Sequence, residues 1–159
     1  MPNARTPIAQ LTPISSSRSF LAARMLGALL LLFVGADHYY EYSVEHYSVL
    51  PTIGVLFLLN FISAALVGLV LLAPPRRLSA RFGRRLLELA TLSGFGIAAT
   101  SLAALLVSEQ TPLFGFMEYN YRPAIVVALA SEAAAAAWFG GLLARELRAR
   151  RALSPSGSA

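Results

Sequence analysis

The sequence predicts an all-α, polytopic membrane protein: four transmembrane helices packed as an antiparallel bundle. Three observations carry that prediction. The 159 residues are 57% hydrophobic and only 13% charged, against about 45–50% apolar and about 25% charged in a soluble domain, and the mean hydropathy is +0.63. Four apolar runs reach the length a helix needs to cross a hydrocarbon core, about 20 residues for about 30 Å at about 1.5 Å per residue. Finally, twelve of the thirteen arginines fall on one side of those runs, and only Arg122 falls on the other.

Residues 1–19 carry Pro2, Pro7, Pro13 and the run Ser15-Ser16-Ser17, a composition that buries little and reads as a disordered tail. The four-helix domain occupies residues 20–144, with spans at about 20–36, 50–73, 86–107 and 123–144. None of these runs shows the polar stripe of a soluble amphipathic helix, and helices apolar all round belong in lipid. Pro51 suits the first turn of span 2, where its missing N–H costs nothing. The connections are short, so sequential spans pack as antiparallel neighbours. Residues 145–159 form a basic tail.

Span 1 also resembles a signal peptide, with Arg18 and Arg24 ahead of an apolar stretch that ends in Val34-Gly35-Ala36. Cleavage would leave the aromatic segment from Asp37 to Ser48 as an exposed arm. Tyr39 and Tyr40 serve better as interface anchors of a retained helix, and retention is the expectation.

The arginines set the orientation, because cytoplasmic flanks carry the basic excess. Arg5, Arg18 and Arg24 precede or enter span 1; Arg76, Arg77, Arg81, Arg84 and Arg85 lie between spans 2 and 3; Arg145, Arg148, Arg150 and Arg151 follow span 4. Both termini are therefore expected to be cytoplasmic, facing anionic headgroups, with a tyrosine-rich acidic rim outside. This also accounts for the net charge of +5 without nucleic acid, since each juxtamembrane arginine favours anionic lipid by about 1 kcal/mol.

The strongest chemical feature is Glu132, about 14 Å into span 4 and so near the midplane. A charged residue there costs about 2.5–3.5 kcal/mol on insertion scales, so Glu132 should face the bundle interior. Asn60 lies at the same depth on span 2, with Gly96, Gly94 and Ser93 of span 3 nearby. A hydrogen bond from Glu132 to Asn60 beside a glycine face is expected, and it reads either as interhelical glue or as part of a proton or cation relay. Glu88 is expected to pair with Arg84 or Arg85 at helical spacing, with Arg24 reaching the same depth.

The segment from Asp37 to Tyr47 offers a second candidate. If span 1 continues as a helix, Asp37, Glu41 and Glu45 form one stripe and His38, Tyr42 and His46 the next. His38, Glu41 and His46 are then candidate ligands for a divalent metal such as zinc or copper(II). A solvated aromatic collar is the plainer reading of the same residues. No other cofactor is predicted: the chain has no cysteine, and both histidines fall outside the four spans, which argues against a membrane-embedded bis-histidine haem. There is no phosphate-binding glycine loop, nucleophile elbow or acid and base pair placed for hydrolysis.

Small residues on span 4, Ala133 to Ala137 with Gly140 and Gly141, allow close approach of another helix, within the chain, in a homo-oligomer or in a larger membrane complex. Leu113-Phe114-Gly115-Phe116-Met117 is apolar but too short to span, and reads as a lid or partner contact at the outer interface.

The stretch from Ser48 to Asn60 (SVLPTIGVLFLLN), with His38 before it and Leu113-Phe114-Gly115-Phe116 after, resembles a group of small four-span bacterial integral membrane proteins of uncharacterised function. The likeness covers most of residues 20–145. It implies four helices in a bacterial plasma membrane and brings no activity with it. On these grounds the chain is expected to be a non-enzymatic accessory or assembly subunit. The alternative is a component of a proton- or cation-coupled transporter using Glu132, and a further one is metal sensing or capture at the outer face.

Overall fold

The computed structural model describes residues 14–73 and 83–153. They form four long helices, α1 (Ile14–Ser43), α2 (Pro51–Leu72), α3 (Gly83–Ser108) and α4 (Pro123–Leu153), with a short 3₁₀ turn at Tyr47–Val49. Each is long and apolar enough to cross a membrane. Consecutive helices pack antiparallel, and α1 packs on α4 to close the ring.

Two helices are longer than hydropathy alone suggests. α1 begins at Ile14 and continues through Val34-Gly35-Ala36 to Ser43, so residues 14–19, expected as tail, belong to the first helix. α4 runs on through its basic segment to Leu153. The remaining tail residues, 1–13 and 154–159, and Arg76, Arg77 and Arg81 lie outside the described residues.

The burial pattern inverts that of a water-soluble protein. Small residues are inside, with Ala28, Ala64, Ala98 and Ala135 fully buried, while Leu29, Leu59, Leu66, Leu89 and Leu92 are each more than half exposed. In lipid no hydrophobic force draws leucine inward; helices associate through close van der Waals contact, which small side chains permit. Gly94 shows the principle: a Cβ there would stand 2.9 Å from the Phe139 ring and 3.0 Å from Leu31. Phe139 thus occupies the space that Gly94 leaves.

The two ends of the bundle differ. At the arginine-rich end, Arg24 of α1 is buried and donates from Nη2 to the carbonyls of Leu71 at 2.9 Å and Ala73 at 2.7 Å. These are among the carbonyls that a helix end leaves without partners, and a guanidinium also complements the negative end of the α2 dipole. Arg24 therefore caps α2 and does not serve Glu88. Glu88 lies 3.2 Å from Arg150 of α4, a largely solvated pair that ties α3 to α4 and contributes little to stability; the expected partner Arg84 has its side chain outside the described residues.

At the tyrosine-rich end, the α1–α2 connection turns at His46, which takes a left-handed φ of 63°. The α3–α4 connection makes a tight two-residue turn. Leu113 and Phe116 exchange backbone hydrogen bonds of 2.7 and 2.9 Å, while Phe114 and Gly115 have φ of 51° and 80°. Positive φ at both central positions fits a primed turn, although phenylalanine rarely adopts it. The turn brings Leu113 and Phe116 over the end of the bundle, and Phe116 meets Tyr47 edge-on at 5.2 Å.

Candidate functional site

The face of α1 that looks inward repeats at three- and four-residue spacing through Arg24, Ala28, Leu31, Val34, His38 and Glu41, all of them buried. That period is the inward stripe of a helix, and it carries an imidazole and a carboxylate into the bundle. His38 thus lies within a span-length helix, not in the loop that the sequence suggested. Its Nδ1 is 2.9 Å from the carbonyl of Val34, and its Nε2 is 3.5 Å from Glu132 Oε1 of α4.

Backbone chemistry fixes the tautomer here. A carbonyl oxygen only accepts, so Nδ1 carries the hydrogen, and a neutral His38 presents a bare Nε2 toward Glu132. Attraction between the two side chains then requires one further proton, held either on the carboxyl or on the imidazole. One proton between the two side chains would therefore join α1 to α4 at this point.

Asn60 has a different partner from the one expected. It donates from Nδ2 to Ser101 Oγ of α3. Glu132 and Asn60 nevertheless line the same cavity of about 210 Å³, together with Asp37, His38 and Glu41. The expected glycine face is divided: Gly94 packs against Phe139, while a Cβ on Gly96 would meet nothing within 4 Å.

The cavity occupies the tyrosine-rich half. Toward that end it is covered by Phe116, Leu113 and Glu118. On its other side Val34, Ala98 and Ala135 form a fully buried apolar layer, backed by Ala28, Leu31, Ala64 and Phe139. Beyond that layer, Arg24 is the only buried polar or charged side chain among the described residues. The cavity therefore has a dry floor.

Arg122, the one arginine on this side, organises the cover. It donates from Nη1 to Glu45 at 2.5 Å and from Nη2 to the Tyr47 hydroxyl at 2.7 Å. Its Nη2 also stands 3.5 Å from Glu41 and 3.5 Å from Glu118. Tyr47 in turn donates to Glu118 at 2.7 Å. Burial, then the hydrogen bond to Glu118 and the surrounding carboxylates, push the Tyr47 phenol well above its ordinary value of 10.0. Tyr47, Glu118 and Arg122 were not singled out as site residues from the sequence. That Arg122 was the lone arginine of an acidic rim was the signal that could have found them.

The candidate metal ligands are not brought together. His38 and Glu41 are buried, whereas His46 lies beyond the end of α1 and is exposed. Among the described residues no group of three His, Cys, Asp or Glu side chains is placed to hold a metal ion. The helical stripe fails because α1 stops at Ser43, before His46 can follow His38 and Tyr42.

No known protein family, curated protein or solved structure matches the chain. Four long apolar helices make this a four-span membrane protein by length and composition, and no family is identified behind the resemblance that residues 48–60, His38 and residues 113–116 carry.

Proposed function

We propose that this chain is the non-enzymatic, solute-capturing component of a proton- or cation-coupled membrane assembly, with Glu132 as its charge-exchange group. It sits in a bacterial plasma membrane with both termini cytoplasmic, a reading supported by the arginine distribution, and its cavity is reached from the outer side. One observation carries the proposal: a buried carboxylate and imidazole from different span-length helices face each other in a cavity. Intramembrane ionisable groups are costly and mark proton and ion pathways. His38, not Asn60, is the partner of Glu132.

The apolar floor supports the accessory role. Net passage of a charge requires that layer to part, in a second conformation or against another subunit. The reading is tested in membrane vesicles from the native host carrying a pH-sensitive dye, under an imposed sodium or potassium gradient. Proton movement is expected to slow when Glu132→Gln replaces the wild type at equal abundance. Identical traces would overturn the coupling role, and recovery of the chain alone after gentle solubilisation and crosslinking would overturn membership of an assembly.

A further inference from the structure

The cavity has an excess of acceptors. Glu41 is 1% exposed and Glu132 2%. Both carboxylate oxygens of Glu41, Oε2 of Glu132 and Oδ1 of Asn60 are buried without a hydrogen-bond partner among the described residues. Arg122 approaches Glu41 only to 3.5 Å, beyond the usual hydrogen-bond range. Buried acceptors left unpaired cost about 1–3 kcal/mol each, so the site is incomplete as it stands.

We propose that the cavity bounded by His38, Glu41, Asn60 and Glu132 binds a primary ammonium carried on an apolar body about the size of one ring. The inference rests on reading this cavity as the working site. An ammonium offers three donors and no acceptor, which complements the unpaired oxygens. The lining contains Asp37, Glu41, Glu118 and Glu132 and neither arginine nor lysine, and the neighbouring Arg122 already donates to Glu45 and Tyr47, so an anion meets more negative charge than positive there. A neutral ligand of the same shape would leave at least one buried carboxyl unsatisfied. The volume of about 210 Å³ exceeds the approximately 150 Å³ that accommodates benzene, leaving room for a methylene-ammonium arm.

The rest of the wall fits the body of such a molecule. Phe57 and Phe116 line the cavity beside Leu56 and Ile125. Aromatic faces attract a nearby cation and pack against a ring. A bare metal ion would gain nothing from those apolar walls, and the described residues offer it no three-ligand group.

Isothermal titration calorimetry of the full chain in mild detergent provides the test, with benzylamine as probe and benzyl alcohol and benzoate as matched controls. Benzylamine is expected to bind saturably at one site, with benzyl alcohol and benzoate at least tenfold weaker. Glu41→Gln and Glu132→Gln should each weaken benzylamine at least tenfold, while Glu146→Gln, at a half-buried position on the arginine-rich end of α4, leaves it unchanged. Equal affinity for the alcohol, which the wild type alone can show, or no saturable benzylamine binding, would overturn the assignment. So would full affinity in both buried-site variants. If benzylamine fails while vesicle proton movement still depends on Glu132, the ligand class falls and the coupling role stands. If benzylamine binds as expected while proton movement ignores Glu132, the coupling role falls and the cavity assignment stands.

Discussion

Arg24 reaches from α1 to the last turn of α2, where its Nη2 meets the carbonyl of Leu71 at 2.9 Å. The contact joins two helices at the arginine-rich end through a charged donor and a main-chain acceptor, with the Phe20 ring centroid 5.9 Å from the guanidinium carbon. Replacing it with Arg24→Met preserves much of the apolar stem and leaves the α2 carbonyls uncapped. Hydrogen bonds to charged groups contribute about 1.5–3 kcal/mol, so the variant should lose about that much stability in detergent, read by thermal circular dichroism. An unchanged melting temperature would mean that water or detergent caps α2 equally well.

Tyr47 links the two connections at the opposite end. Tyr47→Phe removes the donor to Glu118 and the acceptor for Arg122, and a loss of about 1–3 kcal/mol is expected. The pH dependence has a definite sign. The folded protein holds the phenol proton more tightly than the unfolded chain, whose phenol has its ordinary value of 10.0. The contribution is therefore complete below about pH 10 and declines as pH rises toward the folded value. Alkaline melting curves should show this decline in the wild type and less of it in Tyr47→Phe.

Gly54 and Gly96 should respond in opposite ways to alanine. A Cβ at Gly54 would stand 2.7 Å from the Tyr47 carbonyl oxygen, a backbone atom that cannot swing aside, so Gly54→Ala should cost about 1–3 kcal/mol through overpacking. At Gly96 a Cβ meets nothing within 4 Å. Alanine there gains helix propensity of about 0.8–1 kcal/mol, and Gly96→Ala should melt at the same temperature or higher. Paired melts in one detergent decide both.

Orientation is open to direct chemistry because the chain has no cysteine of its own. Tyr40→Cys and Arg148→Cys place single thiols at exposed positions near opposite ends. A membrane-impermeant maleimide should label the first in intact cells and the second only after permeabilisation. The reverse pattern would invert the topology, and labelling of both in intact cells would break it.

Much of the fold was legible because lipid imposes length and composition on every helix. Counting also put Glu132 and Asn60 at one level, and both residues line the same cavity. Counting gives height along a helix, but neither the direction a side chain takes around it nor the packing of its neighbours. That is why Asn60 could be matched to Glu132 when it turns to Ser101. His38 was missed as an interior residue for another reason: hydropathy ends span 1 at Ala36, where the side chains turn polar, while the helix continues to Ser43. The three- and four-residue spacing from Leu31 through Val34 and His38 to Glu41 was readable in the sequence. Those polar residues resembled a solvated rim, however, until tertiary packing placed them inside.

The dry layer of Val34, Ala98 and Ala135 has an electrical consequence. Under the proposed access from the tyrosine-rich end, water passing Phe116, Leu113 and Glu118 would carry that side's potential inward to Glu132 and compress the transmembrane field into the helical turns between Glu132 and Arg24. A cation entering the cavity then does little work against the voltage. One that crosses those turns does nearly all of it, about 2.3 kcal/mol per elementary charge for each 100 mV. Under the proposed coupling role, capture would be insulated from the membrane potential, and release to the far side would be the voltage-sensitive step.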